Sequence, residues 1–175
     1  MGVNQIKAHL AARGMDLSLY PYASVDDEVA CFPLYDFSGR MTGFHQYRPD
    51  GEKKNPNHPK LGRYFTYIAS GKLGVFGLES LKFSKEIYLV GGLFKATTLH
   101  RLGYSSLHVS SASYKDLKPQ LALLNRPFYA IGDCDLEGAQ FVARYGGWQS
   151  PSDVDEMLDQ EIHRMVKENT PCYSI

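Results

Sequence analysis

The residues best suited to chemistry in this sequence are the carboxylates of Ile131-Gly132-Asp133-Cys134-Asp135-Leu136-Glu137-Gly138. The segment follows the apolar run Pro127-Phe128-Tyr129-Ala130 and opens a helical pattern, so it reads as a strand end leading into a helix. In an extended chain residues two apart point to the same side, which lets Asp133 and Asp135 face one cation. Hard oxygen ligands placed this way suit Mg2+ or Mn2+ rather than zinc. Glu137, in the first helical turn, is either a third ligand or an acid favoured by the helix dipole. The competing reading of the aspartates is an Asx turn and helix N-cap that needs no metal.

A second region carries positive charge. Between Arg40 and Arg63 stand Arg40, Arg48, Lys53, Lys54, Lys60 and Arg63, against Asp50 and Glu52. Tyr47, Tyr64, Phe65 and Tyr67 lie among them, a mixture suited to phosphate contacts and to stacking on unpaired bases. Arg48 and Arg63, each beside an aromatic at a strand end, are the strongest candidates; the competing reading is a solvated loop. The chain as a whole is neutral, with 19 basic and 19 acidic residues, so only this uneven distribution speaks about partners. His45, His58, His100, His108 and His163 show no metal-binding spacing, and the three cysteines, Cys31, Cys134 and Cys172, form no C-x-x-C pair. A reducing cytoplasm is the expected compartment, the host cytoplasm if the source is viral, and no apolar run is long enough to span a membrane.

These groups need a scaffold. At 175 residues and 43% hydrophobic content the chain can bury a real core. Val3 to Arg13 has helical spacing ended by Gly14, and 29–35 and 41–47 form a hairpin around Asp36-Phe37-Ser38-Gly39-Arg40. Residues 49–62, with three prolines, read as an exposed loop. Beyond 80 the pattern alternates: strands at 86–90, 106–110 and 128–131, helices at 93–102, 114–124 and 137–145. Alternation of this kind implies right-handed βαβ crossovers and a parallel sheet with helices on both faces, binding ligands at the carboxyl ends of its strands. Residues 1–80 are expected to form a small α+β basic lobe, and 81–175 an α/β domain with an acidic C-terminal helix. Trp148 is expected to pack against the end of the helix at 137–145.

The chain resembles the catalytic core of bacterial and phage DNA primases, a basic lobe followed by a Toprim domain, over roughly 31–158. The resemblance rests on the Asp133-Cys134-Asp135 signature and on Ile87-Tyr88-Leu89-Val90 followed by Leu93-Phe94-Lys95-Ala96. It extends to Phe32-Pro33-Leu34-Tyr35-Asp36 with Gly43-Phe44 through Arg48, to Arg63-Tyr64, to Phe76-Gly77-Leu78, and to the acidic stretch 152–158. It implies a Toprim-like parallel sheet, Asp133 and Asp135 holding Mg2+ or Mn2+, and Arg63-Tyr64 lining a nucleic-acid groove. It further implies single-stranded DNA and nucleotides as partners, with a replicative helicase or other replication protein beside them.

Two departures stand out. Where such domains carry a Glu after the first strand this chain has Gly91, followed by Gly92, and Lys95 stands where an Asp is common. Metal binding is therefore expected to be weak. No zinc module or helicase segment is legible, which implies a minimal relative. Gly91, Gly92 and Lys95 themselves read either as a phosphate-binding corner at a helix N-terminus or as a tight turn with a solvated lysine. A further expectation is that Lys95 places its charge where a cation would sit, neutralising Asp133 or Asp135. Two functions remain open: template-directed primer synthesis by nucleotidyl transfer, in full or weakened form, and non-catalytic binding of single-stranded nucleic acid or nucleotides that modulates replication.

Overall fold

The structure, a computed structural model, describes residues 2–53, 55–109 and 117–171. Lys54, Cys172, Ser110 and the first turn expected at 114–116 lie outside the described residues. Helix α1 (Val3–Ala12) forms because Ile6 and Leu10, one turn apart, are both fully buried, and the chain turns away at Gly14 with φ 75°. A two-residue strand β1 (Ser24–Val25) leads into the hairpin β2 (Ala30–Tyr35) and β3 (Met41–Tyr47), paired through Phe32 opposite His45. The Asp36 carboxylate closes the turn, accepting the backbone N–H groups of Ser38 at 2.9 Å and Arg40 at 3.1 Å.

Strand β4 (Tyr64–Ile68) pairs with β3, and the short β5 (Val75–Phe76) pairs antiparallel with both β2 and β7 (Ser105–Val109). Then come β6 (Ile87–Val90), α2 (Leu93–Arg101), α3 (Leu117–Leu123) and β8 (Phe128–Gly132). The described chain ends with α4 (Leu136–Tyr145), β9 (Gly147–Gln149) and α5 (Asp159–Asn169). Among the described residues one sheet runs β4-β3-β2-β5-β7-β6-β8-β9, with β1 on β2. Strands β7, β6, β8 and β9 are mutually parallel; the rest are antiparallel. The α/β architecture is as expected, but the lobe and the parallel part share a single sheet through β5.

Period-two alternation along β6 explains the layers. Tyr88 and Val90 pack with Ile6, Phe94 and Ile162 on one face, Ile87 and Leu89 with Leu117, Leu121 and Phe141 on the other. Helices α1, α2 and α5 thus cover one side and α3 and α4 the other. Trp148 corrects its expectation: it lies in β9, against Tyr88 and Tyr129 on the face away from α4, because a strand turns it to the α5 side. Strands β1, β4, β5 and β9 are the ones sequence patterning did not show, being an edge strand inside the basic stretch and three segments of only two or three residues. Among the described residues no helix is long and apolar enough to cross a membrane.

The corner from β8 to α4 is unusually close. A Cβ at Gly138 would lie 2.1 Å from the carbonyl oxygen and 2.4 Å from the nitrogen of Asp133, and one at Gly132 would lie 2.4 Å from the Gly138 carbonyl. Gly138→Ala should therefore force the corner apart, at a cost of about 3 kcal/mol or more in chemical denaturation. A loss under about 1 kcal/mol would show that this packing is not as described.

Candidate nucleic-acid interface at the strand ends

Strands β6 and β8 run parallel and side by side, so Gly91 and Asp133 emerge from neighbouring carboxyl ends. Gly92 caps α2 in an extended conformation, and Lys95, in the first turn, is folded back over it. The Lys95 ammonium donates to the carboxylates of Asp133 and of Asp153, the latter at 2.8 Å. Its side chain is only 11% exposed. Burial works against its charge, but the hydrogen bonds and attraction of the two aspartates outweigh that and hold its pKa above the ordinary lysine value.

Asp135 does a different job. Its carboxylate accepts the backbone N–H of Gly138 at 2.7 Å and caps α4. Gln149 pins the loop by donating to the carbonyl oxygens of Asp133 at 2.7 Å and Asp135 at 2.9 Å. Sequence spacing placed both aspartates on one cation; here Asp133 lines the groove and pairs with Lys95, while the Asp135 carboxylate accepts a helix N–H because α4 begins at Leu136 and its first N–H groups lack intrahelical partners. Glu137 lines the groove beside Asp133. Among the described residues no three His, Cys, Asp or Glu side chains are grouped to hold a metal ion. Asp133 and Asp153 already share an ammonium and Asp155 pairs with Arg13, which leaves Glu137 as the carboxylate beside Asp133 with no ion pair among the described residues, so this corner does not fit a resident divalent cation. Two carboxylates engage Lys95, the lysine of the Gly91-Gly92 corner that the sequence offered as a phosphate site.

A groove of about 1260 Å³ runs from this corner across the sheet to β4. Lys53, Arg63 and Tyr64 line its far side, and Arg63 is braced by donating through Nε to the Gly51 carbonyl at 3.1 Å. Arg13, at the end of α1, bridges the middle: it donates to Tyr64 Oη at 3.2 Å and to Asp155 at 2.5 Å, with its guanidinium 3.8 Å from the Phe94 ring centre. Tyr64 and Thr66 share the face of Tyr47 and His45, whereas Phe65 and Tyr67 pack with Phe44 on the other. Arg40 sits exposed in the hairpin turn, Lys60 is exposed on the 59–61 turn, and Arg48 pairs with Glu28 at 3.2 Å; none of the three lines the groove. Of the basic residues expected at the interface, the structure brings Lys53 and Arg63 together and adds Arg13.

Two buried histidines line the same groove. His45 Nδ1 bonds Thr66 Oγ1 at 2.8 Å, but its Nε2 has no hydrogen-bond partner among the described residues. Neither ring nitrogen of His108 reaches hydrogen-bonding geometry with a described residue, and the two rings stand edge to face at 5.6 Å. Burial lowers the pKa of His45 to about 3, helped by His108. Burial also lowers that of His108 to about 4, with a backbone interaction at Val90 offsetting only part. His100, by contrast, is satisfied at both nitrogens, by Tyr20 Oη at 2.7 Å and the Ser106 carbonyl at 2.8 Å. Sequence reasoning missed Arg13, Asp153, His45 and His108. Only Asp153 had a signal, in the acidic stretch 152–158.

No protein-family model matches the chain, and no curated protein matches it in sequence. Solved structures do match. The Escherichia coli primase catalytic core superposes with a TM-score of 0.67 at 12% identity, covering 96% of this chain and 74% of that one. The primase fragment of the bacteriophage T7 primase-helicase protein gives 0.66 at 19% identity, over 90% of this chain and 73% of that one. A DnaG primase catalytic domain solved bound to single-stranded DNA gives 0.65 at 15% identity, over 98% and 76%. The resemblance carried by the Asp133 signature and the hairpin thus extends to the whole described chain, which has the fold of the DNA primase catalytic core.

Proposed function

We propose that this protein is a primase-like module of DNA replication that binds single-stranded nucleic acid in its groove without performing metal-dependent nucleotidyl transfer. The observation that carries this reading is the Lys95 ammonium bonded to Asp133 and Asp153, with Asp135 spent on a helix cap. Phosphoryl and nucleotidyl transfer rely on cations that bridge phosphate oxygens and offset developing charge. A tethered ammonium supplies one charge and no open coordination position. The binding half of the reading rests on Lys53 and Arg63 for phosphates and on Tyr64, 40% exposed, for stacking. The primase-helicase context of the phage neighbour makes a helicase or another replication protein the natural protein partner.

Fluorescence anisotropy of a labelled single-stranded oligonucleotide, paired with labelled-ribonucleotide incorporation in Mg2+ or Mn2+, tests both halves. Two or three phosphate contacts predict a plot of log affinity against log salt with a slope of about −1.4 to −2. Tyr64→Ala should weaken binding by about 1–3 kcal/mol, the usual worth of one stacked base. A flat salt response would remove the binding half, and template-dependent incorporation would restore the enzyme reading.

A further inference from the structure

The geometry points to a base-reading position on the groove floor: His45 and His108 form a hydrogen-bonding pair for the edge of a nucleobase from the bound strand. This inference rests on the binding half of the proposed function and deepens it. His45 comes from β3 and His108 from β7, with β2 and β5 between them in the sheet, yet their ring centres lie 5.6 Å apart. They are 7% and 5% exposed and both line the groove. Burying imidazole nitrogens without partners costs stability, and most buried polar groups avoid it. His100, equally buried but in helix α2, has both ring nitrogens partnered, by Tyr20 Oη and the Ser106 carbonyl.

The chemistry selects the ligand. Held neutral by burial, each imidazole carries one N–H donor and one acceptor nitrogen; with His45 Nδ1 bonded to Thr66, the pair presents His45 Nε2 and the two His108 nitrogens. A phosphate, charged and acceptor-only, matches such a pair poorly. A base edge, which alternates donors and acceptors, matches it well. Lys53 and Arg63 stand in the same groove to take the phosphates, and Tyr64, tilted against His45 at 6.2 Å, is the exposed ring that can move aside or stack. The nitrogens lie beneath the groove surface, so a base reaches them only with such a side-chain shift.

The test compares a labelled single-stranded oligonucleotide with an abasic strand of equal length and charge, on the whole protein, by anisotropy. The wild type should bind the normal strand at least tenfold more tightly. His45→Leu and His108→Leu should each lower that preference by at least about threefold, beyond the part that Tyr64→Ala removes by loss of stacking, while binding the abasic strand as before, and His108→Leu should melt no lower than wild type because its unpartnered nitrogens are gone. If a leucine variant does not fold, His45→Gln and His108→Gln, which keep a donor and an acceptor, should retain an intermediate preference. Variants that keep the full preference, or a wild type that binds both strands equally, would overturn the base-reading pair while leaving strand binding intact. No binding of either strand would overturn both readings.

Discussion

Replacing Lys95 with alanine is expected to lower stability at pH 7 by about 1–3 kcal/mol and to make what remains respond to Mg2+. The Lys95 side chain is nearly buried, whereas those of Asp133 and Asp153 are 37% and 50% exposed. Breaking a fully buried pair costs about 3–5 kcal/mol, and exposed pairs are worth about 0–1, so a half-screened triad falls between. Without the ammonium, two carboxylates that converge on one point repel each other. A divalent cation can then take the place the ammonium held. By mass action, Mg2+ at ten times its dissociation constant would return about 1.4 kcal/mol. The measurement is chemical denaturation of wild type and variant with and without MgCl2 at constant ionic strength. Wild type should not respond. Gly91→Glu with Lys95→Asp, which adds two carboxylates, should bind Mg2+ more tightly than Lys95→Ala. Equal responses in all three proteins would show that Lys95 does not substitute for a cation.

Acid should unfold this protein well above the pH at which carboxylates protonate. His45, His100 and His108 have folded pKa values of about 3, 4 and 4, against about 6.5 in an unfolded chain. The sign follows directly. Below pH 6.5 the unfolded chain takes up protons that the folded protein refuses, so stability falls as pH falls, until the folded histidines themselves protonate near pH 3–4. At pH 5 up to about three extra protons bind on unfolding, a slope of about 4 kcal/mol per pH unit. By pH 4 each histidine costs on the order of 2–3 kcal/mol, and the three together rival the about 5–15 kcal/mol that holds a typical domain folded. Asp16, Asp26, Asp36 and Asp159, whose pKa values are lowered by hydrogen bonds, lose their contribution only in a lower window. Denaturant midpoints measured from pH 7 to 4.5 should fall steeply, and His45→Leu and His108→Leu should each flatten the slope by about one proton. A level stability over that range would contradict the burial of these rings.

The histidines also mark where sequence patterning stops. Each of the three sits in an apolar run and contributes to burial as a hydrophobic side chain would, so periodicity reports the strand or helix and not whether its nitrogens find partners. The satisfied His100 and the orphaned His108 lie only eight positions apart in one chain segment. What separates them is that Tyr20, from the N-terminal part of the chain, and the Ser106 carbonyl reach the two nitrogens of His100, while no described residue does the same for His108. The charge distribution shows the same limit. Six basic residues cluster between 40 and 63, but a hairpin turn, an exposed 59–61 turn and an ion pair to Glu28 take Arg40, Lys60 and Arg48 out of the groove. Arg13, isolated in sequence at the end of α1, enters it instead.

The amino-acid sequence by itself determined the local corners: a hairpin closed by Asp36, alternating strands and helices after residue 86, and a carboxylate signature at the end of a strand. Those follow from side-chain period, turn chemistry and capping, which act over a few residues. It also carried the expectation that a lysine would stand in for a cation near Asp133. Tertiary structure decided that this lysine answers to Asp133 and Asp153 together while Asp135 caps α4. Lys95 and Asp133 are 38 residues apart. Only the parallel pairing of β6 with β8, and the return of the chain after β9, brings the three charges to one point, and the partner of a charge is set by distance in space.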